Sequence, residues 1–180
     1  FSRGIPPECR TLIAIPTMLL NERNVNKLIE SIEVHFLANR DENLRFALLT
    51  DFRDAKSEKL SDDERLLYLV RKGIENLNDK YANLHGDIFF LFHRPRRWNP
   101  KENIWMGYER KRGKLADLNA YLRGRTQGPG GELFSLIVGD TTELINIRYV
   151  ITLDTDTKLP RDAAWQFVGT MAHPLNQAQY

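Results

Sequence analysis

The chain has 180 residues, 42% hydrophobic and 28% charged, a balance that fits one ordinary soluble globular domain rather than a disordered chain. A net charge of +2 identifies no partner by itself, and a single cysteine, Cys9, excludes an internal disulfide. No apolar stretch approaches the roughly 18 residues that suggest a membrane span, no secretory leader is recognisable, and a first residue of Phe1 rather than Met suggests a piece cut from a longer protein.

Residues 1–10 form a proline-containing lead-in, within which Cys9 has no neighbour that would activate a thiol. Residues 11–17 (TLIAIPT) predict a first strand that stops at Pro16. Val25, Leu28, Ile29, Ile32 and Phe36 then recur at spacings of three and four, the stripe of an amphipathic helix. Asn21 ahead of it is a candidate N-cap, and Glu22 suits the helix start. Residues 45–50 (RFALLT) predict a second buried strand, closed by Asp51. Ser61-Asp62-Asp63-Glu64 has the spacing of a capping box opening a helix with Leu66, Leu67, Val70, Ile74 and Leu77 on one face. Residues 87–92 (DIFFLF) predict a third strand, 94–114 a long loop, and 114–122 a helix stopped by Gly124. A glycine-rich loop at 128–131 precedes an apolar strand at 133–138, a buried strand at 149–153 and a last helix at 163–171. Strands alternating with helices predict an α/β domain with a largely parallel sheet covered on both faces.

Two features carry chemistry. Asp154 and Asp156 follow the apolar run at 149–153; on an extended chain, side chains two apart share a side. Paired carboxylates there call for a positive partner, a hard divalent cation being the simplest, and the carboxyl end of a strand is where open α/β sheets bind ligands. The bland alternative is that Asp154 caps a turn and Asp156 is solvated. In the 94–114 segment, eight Lys or Arg residues against Glu102 and Glu109 leave +6 locally and −4 over the rest, interleaved with Trp98, Trp105 and Tyr108. Such a loop suits a sugar nucleotide, a polyphosphate or a nucleic acid, or is a solvated basic loop with local aromatic packing. Asp51, with Asp54 three residues on, is either a ligand acceptor or a turn cap. His35, His85, His93 and His173 show no metal-ligand spacing, and there is no glycine-rich phosphate loop.

The stretches PTMLLNERNVNKLIESIEVHFLANRDENLRFALLTDFRDA, FFLFHRPRRWNP, WMGYERKRGKLADLN and RYVITLDTDTKLPRDAAWQFVGTMAHPLN resemble the glycosyltransferase segment of cyclic β-1,2-glucan synthases, over nearly the whole chain. That resemblance implies a GT-A-type, Rossmann-like nucleotide-sugar-binding half-domain, with residues 11–180 as the nucleotide-binding part of a catalytic domain. It implies UDP-glucose as donor, a growing β-1,2-glucan as acceptor, inverting transfer, and Mg²⁺ or Mn²⁺ as cofactor. It also implies a large membrane-spanning parent, this soluble segment lying on the cytoplasmic side of the bacterial inner membrane, and no nucleic-acid partner. Carried onto this chain, Pro16, Thr17 and Glu22 would line the uridine pocket and Asp51 would accept from the uracil imide. Lys114 would approach the diphosphate, and Asp154 and Asp156 would hold the metal on the diphosphate and donor sugar. The chain departs from the usual pattern in one respect: Asn21-Glu22 stands several residues after the first strand's proline.

An inverting transferase also needs a general base. Only 24 residues follow Asp156, and Asp162 is too close to it to serve, so the segment is expected to bind donor without turnover. Two rivals stand beside this reading. VITLDTDTKL also resembles the first motif of haloacid-dehalogenase-type phosphatases, with Asp154 as nucleophile and Asp156 as acid/base. The basic aromatic segment could alternatively serve a module that binds single-stranded nucleic acid or an anionic surface.

Overall fold

The computed structural model describes residues 4–82 and 86–176; His85 lies outside them. Strand β1 (Thr11–Leu19) leads to α1 (Glu22–Ala38), β2 (Leu44–Phe52), α2 (Asp63–Lys80) and β3 (Phe89–His93). A hairpin of β4 (Arg97–Asn99) and β5 (Ile104–Met106) precedes α3 (Arg110–Leu122). A two-residue pairing, β6 (Gln127–Gly128) with β7 (Gly131–Glu132), then leads to β8 (Leu136–Val138), β9 (Tyr149–Thr152) and α4 (Ala163–Ala172). The main sheet has the order β8-β3-β2-β1-β9, parallel throughout except for β8. This mixed α/β architecture, a mostly parallel five-stranded sheet flanked by helices, is compatible with a Rossmann-like half-domain. Among the described residues, no helix is long and apolar enough to cross a membrane.

Strand alternation divides the core in two. Ile13, Ile15, Phe46, Leu48, Phe89 and Leu91 face α1, α2 and α4, where they meet Leu28, Ile32, Val70, Ile74 and Val168. Leu12, Ala14, Ala47, Leu49, Phe90 and Phe92 face the opposite way, onto Leu118 of α3 and Phe134. The lead-in is tied to the body, with Ile5 and Cys9 buried in the first of these clusters.

Several expectations need correction. β1 does not stop at Pro16. Leu153 N–H donates to the Ala14 carbonyl, so even-numbered β1 residues turn their polar backbone toward β9, whose pairing ends at Ala14. The ring nitrogen of Pro16 therefore interrupts no ladder. The capping box does not form: α2 starts at Asp63, no side chain caps it, and the Asp63 carboxylate instead accepts from Leu60 N–H and pairs with Arg96. The 94–114 segment is a hairpin and the opening of α3 rather than a loop, bonded through Trp105 to Ala55 by reciprocal backbone bonds of 2.9 Å. The strand expected at 133–138 shortens to β8 and runs antiparallel. The strand expected buried at 149–153 is β9, a half-buried edge strand that ends at Thr152.

Candidate active site

The carboxyl ends of β1 and β2 open into a cleft of ≈ 530 Å³ whose walls include Thr17, Asp51, Arg110, Lys111, Lys114 and Thr155. Strand periodicity explains its floor. Asp51 continues the Ala47–Leu49 phase of β2, and Arg94 continues the Phe90–Phe92 phase of β3, so both reach the α3 side of the sheet. There they meet Lys114, which α3 buries with Gly113 and Leu118. Lys114 Nζ donates to Asp51 Oδ1 at 2.8 Å and to the Thr17 carbonyl at 2.5 Å. Only 4% of each of the Asp51 and Lys114 side chains is exposed. Burial pulls the Lys114 pKa below the ordinary lysine value, against the Asp51 carboxylate, which works the other way.

Arg94 is the hub beneath them. Its guanidinium donates to Asp51 Oδ2 at 3.2 Å, Asp117 Oδ2 at 2.9 Å, Tyr108 O at 3.0 Å and Arg110 O at 3.2 Å. The two carbonyls flank a turn in which Glu109 and Arg110 are both left-handed, φ 51° and 47°. Non-glycine residues adopt that conformation uncommonly, and here the buried fork of Arg94 bonds the carbonyls at both sides of the turn. Glycine is required close by: a Cβ on Gly113 would collide with Tyr108 O, and one on Gly107 with the Asp51 carboxylate.

At the rim, the Asp154 pair of acids lies beyond the strand. Leu153 and Leu159 are buried and anchor the intervening segment, while Thr157 N–H closes a turn onto Asp154 O at 3.0 Å. Asp154 forms an ion pair with Lys111, and Asp156 is exposed. Among the described residues, no group of three or more His, Cys, Asp or Glu side chains is placed to hold a metal ion. The donor set on this turn is two carboxylates of hard oxygen. Two carboxylates are too few for an all-protein cage, so any hard divalent cation held there would take further oxygen ligands from elsewhere.

Of the residues singled out from sequence, Pro16, Thr17, Asp51 and Lys114 line the cleft, and Asp154 reaches it through Lys111. Glu22 is not among the lining side chains; it pairs with Arg65 on the surface at 2.7 Å. Asn21 caps α1 as expected, accepting from Asn24 N–H at 2.8 Å. His93 is fully buried, with Nδ1 2.8 Å from Thr50 Oγ1, and desolvation pushes its pKa down to about 3. Burial also raises the Cys9 thiol pKa, which makes it less reactive. Sequence reasoning counted Arg94, Arg110 and Lys111 only as part of the basic segment and named Asp54 without its partner Arg110, 2.7 Å away on the cleft wall; Gly107 it did not single out.

Most of the basic segment is engaged inside the protein. Arg94, Arg96, Arg97, Arg110, Lys111 and Lys114 all bind acceptors within the protein. Trp98 and Trp105 pair across the β4–β5 hairpin with ring centroids 5.8 Å apart.

Fold and site together define an α/β unit with a mostly parallel sheet and a carboxyl-edge cleft floored by a buried Lys–Asp–Arg cluster. No family model matches the chain. It is 41% identical, over 177 residues and 98% of its length, to part of the cyclic beta-(1,2)-glucan synthase NdvB of Rhizobium meliloti (strain 1021). The chain spans 6% of that relative's length. The resemblance seen in the sequence stretches is therefore borne out by a curated relative.

Proposed function

We propose that this chain is the donor-binding part of a glycosyltransferase that uses UDP-glucose to extend a β-1,2-glucan by inverting transfer, within a much larger membrane-spanning parent. The observation that carries the reading is the meeting of Asp51, Lys114, Lys111 and Asp154 around one cleft, in a chain 41% identical to part of a glucan synthase.

In this reading the uridine enters beside Pro16 and Thr17. Asp51 accepts from the uracil imide: its oxygens already take one bond each from Lys114 and Arg94, and a carboxylate has about four lone-pair sites. Lys114 uses a remaining ammonium proton on the diphosphate, fixed in place by its two buried acceptors. Asp154 and Asp156 would hold Mg²⁺ or Mn²⁺. Bound there, the ion supplies Lewis-acid stabilisation of charge on the departing diphosphate. Asp51, Asp54 and Asp154 are each paired with a cation, and Asp162 stands at the start of α4 beside Arg161, outside the cleft lining, so none is placed to deprotonate an acceptor hydroxyl. We infer that these residues bind donor but do not turn it over.

Titration calorimetry with UDP-glucose, with and without Mn²⁺, tests this. Metal-dependent heat that disappears in the Asp154→Ala/Asp156→Ala double variant is the expected result. No heat under either condition would overturn the reading.

A further inference from the structure

The β4–β5 hairpin has no task in donor binding, yet it grows out of the cleft wall. The chain leaves β5 at Met106 and enters that wall at Gly107. Trp105 exchanges backbone bonds of 2.9 Å with Ala55, the neighbour of the wall residue Asp54. On the other strand, Arg97 Nη2 donates to Glu132 O at 2.7 Å. Cross-strand pairing sets Arg97 opposite the buried Met106 and Trp98 opposite Trp105. Strand alternation therefore turns the tryptophan pair away from the side that Met106 buries. Trp98 is 46% exposed and Trp105 half-buried, with ring centroids 5.8 Å apart.

The chemistry this leaves facing outward is aromatic rather than cationic. Arg94, Arg96, Arg97 and Arg110 are bonded inside the protein, and at the hairpin tip exposed Lys101 stands beside exposed Glu102. An anionic polymer needs a track of available cations. A neutral polyhydroxylated ligand needs aromatic faces with a few polar groups at their margin. A pyranose ring is such a ligand: its C–H bonds, polarised by neighbouring oxygens, meet electron-rich ring faces, while its hydroxyls reach a donor and an acceptor such as Lys101 and Glu102. We propose that Trp98 and Trp105 form a docking platform for a neutral glucan chain, outside the donor cleft and fixed to its wall. The inference rests on the glycosyltransferase reading and adds a second binding site to it. Tied down at Ala55 and Gly107, the platform holds glucan near the donor cleft without occupying it.

The test is a titration of the 180-residue chain with linear β-1,2-linked gluco-oligosaccharides. The chain has three tryptophans, so Trp165→Phe leaves only Trp98 and Trp105, and emission then reads the platform directly. A saturable change in that emission, insensitive to salt, is expected. By calorimetry, glucan affinity should fall about fivefold in Trp98→Ala, as for loss of one aromatic contact, and stay within about twofold of wild type in Trp98→Tyr. Phe167→Ala removes a similarly exposed aromatic ring, 51% exposed on α4, and should leave glucan affinity unchanged. Emission unmoved by glucan, or equal losses in Trp98→Ala and Phe167→Ala, would overturn the platform; UDP-glucose binding in the same samples would leave the donor-binding reading standing. A salt-sensitive response to a single-stranded oligonucleotide with none to glucan would overturn it in favour of nucleic acid. Glucan binding that depends on Trp98, with no response to UDP-glucose, would support the platform and count against the donor-binding reading alone.

Discussion

Replacing Arg94 by methionine should be the most damaging single change at the cleft. The substitution keeps an apolar stem and deletes donors to Asp51, Asp117, Tyr108 O and Arg110 O. Removing one partner of a buried ion pair usually costs about 3–5 kcal/mol, because a charge is left uncompensated. Asp51 keeps Lys114, and the Asp117 side chain is 29% exposed and can turn to water, so the low end, about 3 kcal/mol, applies. For a chain of this length, each kcal/mol lowers the melting temperature by about 2–4 °C, giving a drop of roughly 6–12 °C. Thermal melts followed by circular dichroism measure it. If the loss arises from stranded charge at Asp51, the double variant Arg94→Met/Asp51→Asn should be more stable than the two single losses added together, by about 1–2 kcal/mol. A melting temperature within about 2 °C of wild type, or strictly additive losses, would refute the argument.

Two further outcomes are expected. Gly107→Ala drives a methyl group into the Asp51 carboxylate, so it should cost about 1–3 kcal/mol in urea unfolding and weaken UDP binding, whereas wild-type values for both would show that this close approach is dispensable. His93 has a folded pKa of about 3, below its ordinary 6.5, so in that interval the unfolded chain binds a proton that the folded chain refuses. Stability contributed by this residue is therefore lost as pH falls below about 6.5, at up to about 1.4 kcal/mol per pH unit. Urea unfolding between about pH 6.5 and 5 should show this slope in wild type and lose it in His93→Gln; equal slopes in the two proteins would contradict the assignment.

The alternation of strands and stripes made the layers legible from sequence. The predicted α1 stripe of Val25, Leu28, Ile32 and Phe36 is the buried one, and FFLF supplies both faces of β3. The cleft floor was partly legible too, since Asp51 and Lys114 were singled out without knowing that they touch. The same period of two that sorts Phe90 and Phe92 would also have placed Arg94 with them. What escaped the reading was set by distant contacts. Local spacing nominated Ser61 as a cap, but Arg96, 33 residues from Asp63, recruits that carboxylate instead. The +6 of the basic segment looked like surface charge because its acceptors, among them Asp51, Asp54, Asp63 and Asp154, are scattered along the chain. Apolar composition at 149–153 could not distinguish a central strand from the edge strand found there.

The account depends on the acidic turn and the lysine floor serving one ligand. Anomalous diffraction from crystals soaked in Mn²⁺ and UDP tests this most directly. A manganese peak beside Asp154 and Asp156, with the diphosphate running toward Lys114 and the uracil against Asp51, is the predicted result. Nucleotide bound elsewhere on the surface, with Asp154 still paired to Lys111 and no manganese at the turn, would contradict it.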